Sequence, residues 1–227
     1  MKNYKIFTLG DNALTVEFGN EISAEMNNLV VRLADFFEKN SFPGFIEIVP
    51  AYASLACFYD VSMVRRTFPD FLTAFAAVKN FIENALQNLD DSETINARLI
   101  EIPVCFDAEF ALDLEFVART NNLTTREIIE IFLARTYRVF MLGFLPGFAY
   151  MGEVNERIAA PRKDSPRLKV PKGSVGIAGR QTGIYSLESP GGWQIIGRTN
   201  VEMFTPNEKS PTFLQTGDSV KFYEADF

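Results

Sequence analysis

One stretch decides the architecture of the chain: residues 143–199, GFLPGFAYMGEVNERIAAPRKDSPRLKVPKGSVGIAGRQTGIYSLESPGGWQIIGRT. It holds ten of the fourteen glycines of the 227-residue chain and five of its eleven prolines. Short β-prone runs, such as 174–178 and 193–196, lie between these residues. Glycine and proline at this density mark tight turns between short strands. The stretch therefore predicts a small barrel or sandwich of short strands.

Positive charge is concentrated in the same stretch. From Arg157 to Arg198 there are eight Lys and Arg against two acids, although the whole chain carries a net charge of −7. An acidic chain argues against nucleic acid as a partner. A basic, glycine-rich segment in an acidic protein is the place where we expect the functional site.

The stretch also carries four linked motifs: GF-x-PGF-x-Y at 143–150, PR-x3-PR-x2-VP-x-GSV at 161–175, QTGIY at 181–185 and SPGGW-x-IIGRT at 189–199. In this order and spacing they resemble the allophanate hydrolase subunit 1 family, of the carboxyltransferase subdomain C and D type. Weaker similarity runs from GDNAL at residue 10 and VPAY at residue 49 to GDSVKF at residue 217. The resemblance therefore covers nearly the whole chain.

The resemblance implies a function. Members of this family include the B component of an ATP-dependent 5-oxoprolinase, a Kip-type inhibitor of a sensor histidine kinase and part of the carboxyltransferase domain of urea carboxylase. The first implication is a non-autonomous component of the enzyme that opens 5-oxoproline to glutamate. Its partners would be the C component, a homologue of allophanate hydrolase subunit 2, and the A component. ATP would be bound at a site shared with the partner chain, accompanied by Mg²⁺.

The resemblance leaves two alternatives. One is inhibition of a sensor histidine kinase by direct protein binding, since the inhibitor shares these motifs. The other is a role as part of a urea-type carboxyltransferase.

Hydrophobic periodicity predicts the fold class. We expect an α+β N-terminal domain over residues 1–92, a ferredoxin-like sandwich with two helices on one face of an antiparallel sheet. A linker at 90–93 leads to a mainly β domain over residues 93–227, for which the resemblance implies a cyclophilin-like barrel. The spacing predicts helices over 21–39, 68–89, 106–120 and 124–137, and strands over 4–9, 13–18, 45–49, 55–59 and 98–104.

Several classes of site are excluded by composition. The chain has no histidine, so zinc sites with histidine ligands, Ser-His-Asp triads and Cys-His dyads cannot form within it. Cys57 and Cys105 lie in predicted strands and lack metal-site spacing, so we expect two buried apolar residues in a cytoplasmic protein. The sequence shows no apolar run long enough to predict a membrane span, and no pattern that predicts a secretion signal. We predict no metal site in the protein itself and assign no catalytic residue.

Arg162 and Arg167 each follow a proline, which stiffens the backbone. A fixed guanidinium suits bidentate binding of a carboxylate or phosphate, and Lys172 adds a further charge. The alternative is a solvated basic loop. The turns at Gly147 and at Gly191-Gly192 could present backbone N–H groups to an anion, or could serve only as turns.

Trp193, the only tryptophan of the chain, could fill the core of the barrel or form the wall of a ligand pocket. We favour the wall, because the turn before it should lie near a barrel rim. The resemblance extends this to a set of candidate substrate- and anion-binding residues: Arg162, Arg167, Lys172, Gly147, Tyr150, Gln181, Tyr185, Gly191, Gly192, Trp193, Arg198 and Thr199. Phe132 stands where the family often has histidine, and an apolar helix face predicts that it packs in the core.

Overall fold

A computed structural model describes residues 4–89 and 97–227. The chain divides into two compact units, residues 1–96 and residues 97–227, each with its own hydrophobic core. The predicted linker at 90–93 and the predicted domain boundary after residue 92 lie outside the described residues. No helix in the described ranges is long and apolar enough to cross a bilayer.

The first unit is a sheet covered by helices. Its strands form one antiparallel sheet in the order β1-β2-β4-β3. Alternate side chains of the two central strands point to one face, and α1 and α3 contribute apolar residues to the core on that face. In the described residues 4–89 the elements are β1 (Lys5–Thr8), β2 (Ala13–Glu17), α1 (Ala24–Lys39), β3 (Phe45–Pro50), β4 (Ser54–Tyr59), α2 (Val61–Thr67) and α3 (Ala74–Asn88).

The strand predictions for this unit are confirmed, but both predicted helices begin later than predicted, α1 at Ala24 rather than at residue 21. Helix α3 starts at Ala74 rather than at residue 68, because the Thr73 hydroxyl accepts a hydrogen bond from the Ala76 N–H at 3.0 Å. Periodicity also missed α2, a short helix whose N-cap Asp60 accepts from the Met63 N–H at 2.7 Å. Local capping therefore set both boundaries.

The second unit is mainly β and confirms the short strands predicted within residues 143–199. Across residues 97–227 its elements are β5 (Leu99–Val104), α4 (Leu114–Thr120), α5 (Thr125–Leu133), β6 (Thr136–Leu142), β7 (Ala149–Gly152), a 3₁₀ turn (Glu156–Ile158), β8 (Arg167–Val170), β9 (Ser174–Ala178), β10 (Gln181–Ile184), β11 (Ser189–Gly191), β12 (Gln194–Arg198) and β13 (Ser219–Glu224). Two sheets form there, one in the order β12-β9-β10-β7-β6-β13-β5 and one of β8 with β11.

The larger sheet is mixed and curls until its two edge strands meet. Strand β13 pairs with β5 in parallel, and the other described pairs are antiparallel. At the end of β5, the Cys105 N–H donates to the Arg198 carbonyl at 2.8 Å, and the Arg198 N–H donates back at 3.0 Å. A bridge between the edges protects backbone groups that an open sheet would expose.

One helix prediction in this unit is wrong in part. Residues 106–113 form turns, and α4 begins only at Leu114. The reason is Asp113, whose N–H donates to the Ile195 carbonyl at 2.7 Å and so joins this segment to β12. Helix α5 begins with a capping box of Thr124 and Glu127, but it stops at Leu133 rather than at residue 137, and Tyr137 lies in β6.

Phe132 is a core residue, as predicted. It is fully buried, and its ring lies 5.0 Å from the rings of both Tyr137 and Phe222. The Tyr137 hydroxyl donates to the Phe132 carbonyl at 2.8 Å. At this position the side chain packs helix α5 against the sheet and reaches no solvent.

The closure of the sheet gives a first prediction. A Cβ at Gly197 would lie 2.7 Å from Val104 Cγ1 and 2.9 Å from the Cys105 carbonyl oxygen. We expect Gly197→Ala to lower the free energy of unfolding by about 1–3 kcal/mol, the cost of overpacking, because the two edges would be forced apart. Gly143→Ala is the control, since the nearest atom there is Met141 Cε at 3.4 Å. Equal melting temperatures of the two variants would contradict the closure.

Candidate functional site

A pocket of about 290 Å³ opens in the second unit. One side is aromatic, and the other is formed by turns that carry two cations. The aromatic residues are Phe144, Phe148, Tyr150, Tyr185 and Trp193, and the remainder are Arg162, Lys163, Pro166, Pro190, Gly191 and Gly192.

Phe148 organises the aromatic side of the pocket. Its buried ring makes edge-to-face contacts with Tyr150 at 4.8 Å, Tyr185 at 5.3 Å and Trp193 at 5.5 Å between centroids. Such contacts hold aromatic rings in defined orientations. Burial raises the pKa of Tyr185, although a hydrogen bond from the Trp193 backbone opposes the shift. The Tyr185 phenol therefore stays protonated at neutral pH.

Phe144 forms the rim of this wall. It is 60% exposed, and its backbone adopts φ of 69°, a left-handed conformation that is uncommon for a residue other than glycine. Its ring contacts those of Phe148 at 5.5 Å and Tyr185 at 6.4 Å. An exposed aromatic in a strained conformation at a pocket mouth points to a role other than core packing.

Arg162 lies over the aromatic wall. Its guanidinium carbon is 5.8 Å from the centroid of the Trp193 ring, within the range of a cation–π contact. Within the described part of the chain, no carboxylate lies at ion-pair distance from Arg162. The N–H groups of a guanidinium in such a contact can still bind an anion.

Asp113 anchors the opposite side. Its carboxylate, 5% exposed, accepts two hydrogen bonds from Arg167, both of 2.7 Å, and one from Lys163 Nζ of 3.1 Å. It also accepts from the Ile195 N–H at 2.7 Å. The Lys163 N–H donates in turn to the Gly192 carbonyl at 2.7 Å. One buried carboxylate therefore joins the 161–167 loop, α4 and β12.

This cluster holds Asp113 in its charged form. Burial raises the pKa of the carboxyl, but the hydrogen bonds from Arg167, the Ile195 N–H and Lys163 together outweigh it, so the pKa lies below its ordinary value. Asp113 remains a carboxylate throughout the physiological range. With all these donors around it, Asp113 is a structural acceptor and no general base.

Half of the predicted site residues come together here. Tyr150, Arg162, Tyr185, Gly191, Gly192 and Trp193 all line the pocket. Trp193 is only 5% exposed, so it both fills the core and forms the pocket wall.

The other predicted residues lie outside the lining and have partners within the unit. Arg167 binds Asp113, and Lys172 pairs with Glu202 at 2.5 Å. Arg198 donates to the Lys172 carbonyl at 3.1 Å, and the Thr199 hydroxyl accepts from the Val201 N–H at 3.2 Å. The last two occupy strand and turn positions: Gln181 pairs with Gly152 and Ala178, and Gly147 has φ of +77° and lies against Met203.

Sequence reasoning missed Asp113 altogether. Its only signal is a carboxylate between Leu112 and Leu114 in an otherwise apolar run. Lys163 was overlooked because it stands between two arginines that follow prolines. Phe144 and Phe148 belong to the first motif of the quoted stretch, but phenylalanine is so frequent in this chain that neither stood out.

The Asp113 cluster predicts a pH-dependent stability. Because the folded-state pKa is depressed, the stabilisation is complete above about pH 4, the unfolded value, and is lost as the pH falls through the folded value. At neutral pH we expect Asp113→Asn to cost about 3 kcal/mol, the lower figure for breaking a buried ion pair. Denaturant unfolding of both proteins across this pH range measures the difference.

The control for this experiment is Asp164→Asn, which changes an exposed carboxylate two residues before Pro166. It should change stability by no more than about 0.5 kcal/mol. If Asp113→Asn and Asp164→Asn unfolded alike at neutral pH, Asp113 would not anchor the loop.

Gly191 and Gly192 form a matched pair for testing the pocket wall. A Cβ at Gly191 would overlap the Tyr185 hydroxyl and lie 2.7 Å from its Cζ, whereas the nearest atom to a Cβ at Gly192 would be Pro166 Cγ at 3.6 Å, an ordinary van der Waals contact. We expect Gly191→Ala to lower stability by about 1–3 kcal/mol through overpacking and to shift the Trp193 emission spectrum. Gly192→Ala should leave both near the wild-type values. Similar behaviour of the two variants would contradict the described wall.

Comparisons with known proteins place the chain in a family. The chain is similar to the B component of 5-oxoprolinase from Bacillus subtilis (strain 168), with 47% identity over 220 residues, 96% of this chain and 92% of that protein. It is 34% identical to the corresponding 5-oxoprolinase component of Escherichia coli O157:H7 over 98% of this chain and 96% of that protein.

A solved structure matches the fold of nearly the whole chain. The crystal structure of TTHA0988 matches 95% of this chain with a TM-score of 0.80 and 34% identity. This chain spans only 40% of the TTHA0988 chain.

The family model described as "Carboxyltransferase domain, subdomain C and D" matches residues 4–214. That range holds the core of the first unit, most of the core of the second, the aromatic pocket and the Asp113 cluster, and it agrees with the resemblance carried by the four motifs. The chain belongs to the family of carboxyltransferase domains of the subdomain C and D type.

Proposed function

We propose that this chain is the B component of an ATP-dependent 5-oxoprolinase, which opens the lactam of 5-oxoproline to glutamate. The observation that carries the proposal is the 47% identity to a 5-oxoprolinase B component over nearly the full length of both chains. The pocket supports it chemically, because an aromatic wall beside an arginine suits a small organic anion.

The chain works with partner proteins and is inactive alone. The described residues that line the pocket include no carboxylate, and the whole chain has no histidine. Asp113 is held by several donors, and the pKa of Tyr185 is raised. A general base for water attack on the lactam therefore comes from another chain of the complex.

The partners we propose are homologues of the C and A components of 5-oxoprolinase. TTHA0988 supports a partner chain, since a segment like this chain makes up 40% of that longer chain. Where the same unit is a separate protein, the remainder is expected to be supplied by a second chain. We propose that the complex is cytoplasmic.

The pocket does not fit Mg²⁺-ATP. Magnesium is held in proteins by one or two carboxylates together with substrate phosphates, but the carboxylate next to this pocket is already occupied by Arg167, Lys163 and the Ile195 N–H. Among the described residues no group of three or more acidic, Cys or His side chains could hold a metal ion. We therefore place the nucleotide of the complex at another site or on a partner protein.

Several finer points stay predictions. The assignment of the first unit as ferredoxin-like and of the second as cyclophilin-like stays a prediction, as does the domain boundary after residue 92. The kinase-inhibitor and urea-type carboxyltransferase alternatives remain hypotheses. So do the candidate binding residues without a place in this pocket: Lys172, Gly147, Gln181, Arg198 and Thr199.

Reconstitution tests the proposed function. The chain is co-expressed with the candidate C component, purified as a complex and mixed with the A component, and glutamate release from 5-oxoproline is measured with and without ATP. We expect ATP-dependent release from the three proteins together and none from this chain alone. Turnover by this chain alone would contradict the proposal that it is inactive without its partner proteins. No turnover by the full set, with inhibition of kinase autophosphorylation instead, would favour the inhibitor hypothesis.

A further inference from the structure

Two cations line the described pocket, Arg162 and Lys163. Lys163 shares the Asp113 carboxylate with Arg167, and that cluster carries a net charge of one positive unit. Arg162 is different, because within the described residues it has an aromatic ring beneath it and no carboxylate beside it. The anion-binding arginine of the PR-x3-PR motif is thus the first of the pair.

We propose that this pocket binds a small cyclic monocarboxylate, with its ring against Trp193 and Tyr150 and its carboxylate on Arg162. This inference rests on the proposed function, which makes the ligand 5-oxoproline itself. ATP does not bind in this pocket. The second arginine, Arg167, is a positioning residue that acts through Asp113.

Geometry supports the division between the two arginines. Arg167 uses both of its terminal nitrogens on Asp113, at 2.7 Å each, and it does not line the pocket. Arg162 lines the pocket with its guanidinium carbon 5.8 Å from the indole centroid, and among the described residues no carboxylate pairs with it. A guanidinium held in this way loses little conformational entropy when it binds a carboxylate in bidentate fashion.

Size and shape select the rest of the ligand. The volume of about 290 Å³ lies at the lower end of ligand pockets, which span roughly 300–1,000 Å³. The aromatic rings of the lining meet edge to face, and a small, mainly aromatic pocket suits a compact ring better than a long chain. A triphosphate needs several cations or a cradle of backbone N–H groups, and this wall offers chiefly aromatic carbon.

Trp193 provides a direct test, because it is the only tryptophan of the chain and lines the pocket. We expect 5-oxoproline to change its fluorescence saturably in the full-length chain, and ATP alone to cause no change. Arg162→Gln should weaken 5-oxoproline binding at least tenfold, and Arg162→Lys should weaken it less, since the charge remains but the fork is lost. Arg157→Gln, at an exposed arginine outside the lining, is the matched control and should bind normally.

The reconstituted complex provides a second readout. There, Arg162→Gln should raise KM for 5-oxoproline at least tenfold and leave KM for ATP unchanged. If 5-oxoproline left the fluorescence of the chain alone unchanged, but Arg162→Gln raised only the KM for 5-oxoproline in the complex, the result would still support the pocket. The partner would then complete the binding site. An unchanged KM for 5-oxoproline in Arg162→Gln, or a fluorescence change caused by ATP alone, would overturn it.

The experiments distinguish a failure of the proposed pocket from a failure of the proposed enzyme function. A complex that hydrolyses 5-oxoproline normally when it carries Arg162→Gln would refute the pocket and leave the enzyme function intact. Saturable binding of 5-oxoproline at Trp193, abolished by Arg162→Gln, in a complex without turnover would support the pocket and refute the enzyme function.

Discussion

The second unit depends on one buried carboxylate. Asp113 accepts four hydrogen bonds of 2.7–3.1 Å from Arg167, Lys163 and the Ile195 N–H, and its own N–H donates to Ile195. A buried charge is costly unless it is paired and fully hydrogen-bonded. Here both conditions are met, so the carboxylate can fix a proline-rich loop, the start of a helix and an edge strand of the sheet in a single arrangement. The pocket is built on that arrangement.

The same interaction divides the basic stretch into two kinds of charge. Arg167 and Lys163 pair with Asp113, whereas Arg162 lies over the indole of Trp193 and has no carboxylate partner among the described residues. Carboxylates and histidine are missing from the described pocket lining. The chain belongs to the carboxyltransferase family and is similar to the B component of 5-oxoprolinase.

Local patterns predicted much of the fold. Glycine and proline punctuation indicated the short strands of the second unit, and helical periodicity located α1 and α5. The errors came from contacts that are distant in sequence. Residues 106–113 looked helical, but Asp113 pairs with β12 instead. The Asp113 ion pairs span 50 and 54 residues, and no spacing rule reveals such a partner. For the same reason the sequence did not distinguish Arg162 from Arg167, which each follow a proline, although of the two only Arg162 lines the pocket.

A crystal structure of the reconstituted complex with 5-oxoproline bound would test the central claim most directly. The account predicts the lactam ring against Trp193, with its carboxylate oxygens about 3 Å from the Arg162 guanidinium and with Arg167 still bound to Asp113. Density for 5-oxoproline at a site remote from Arg162, or a nucleotide base stacked on Trp193, would contradict it.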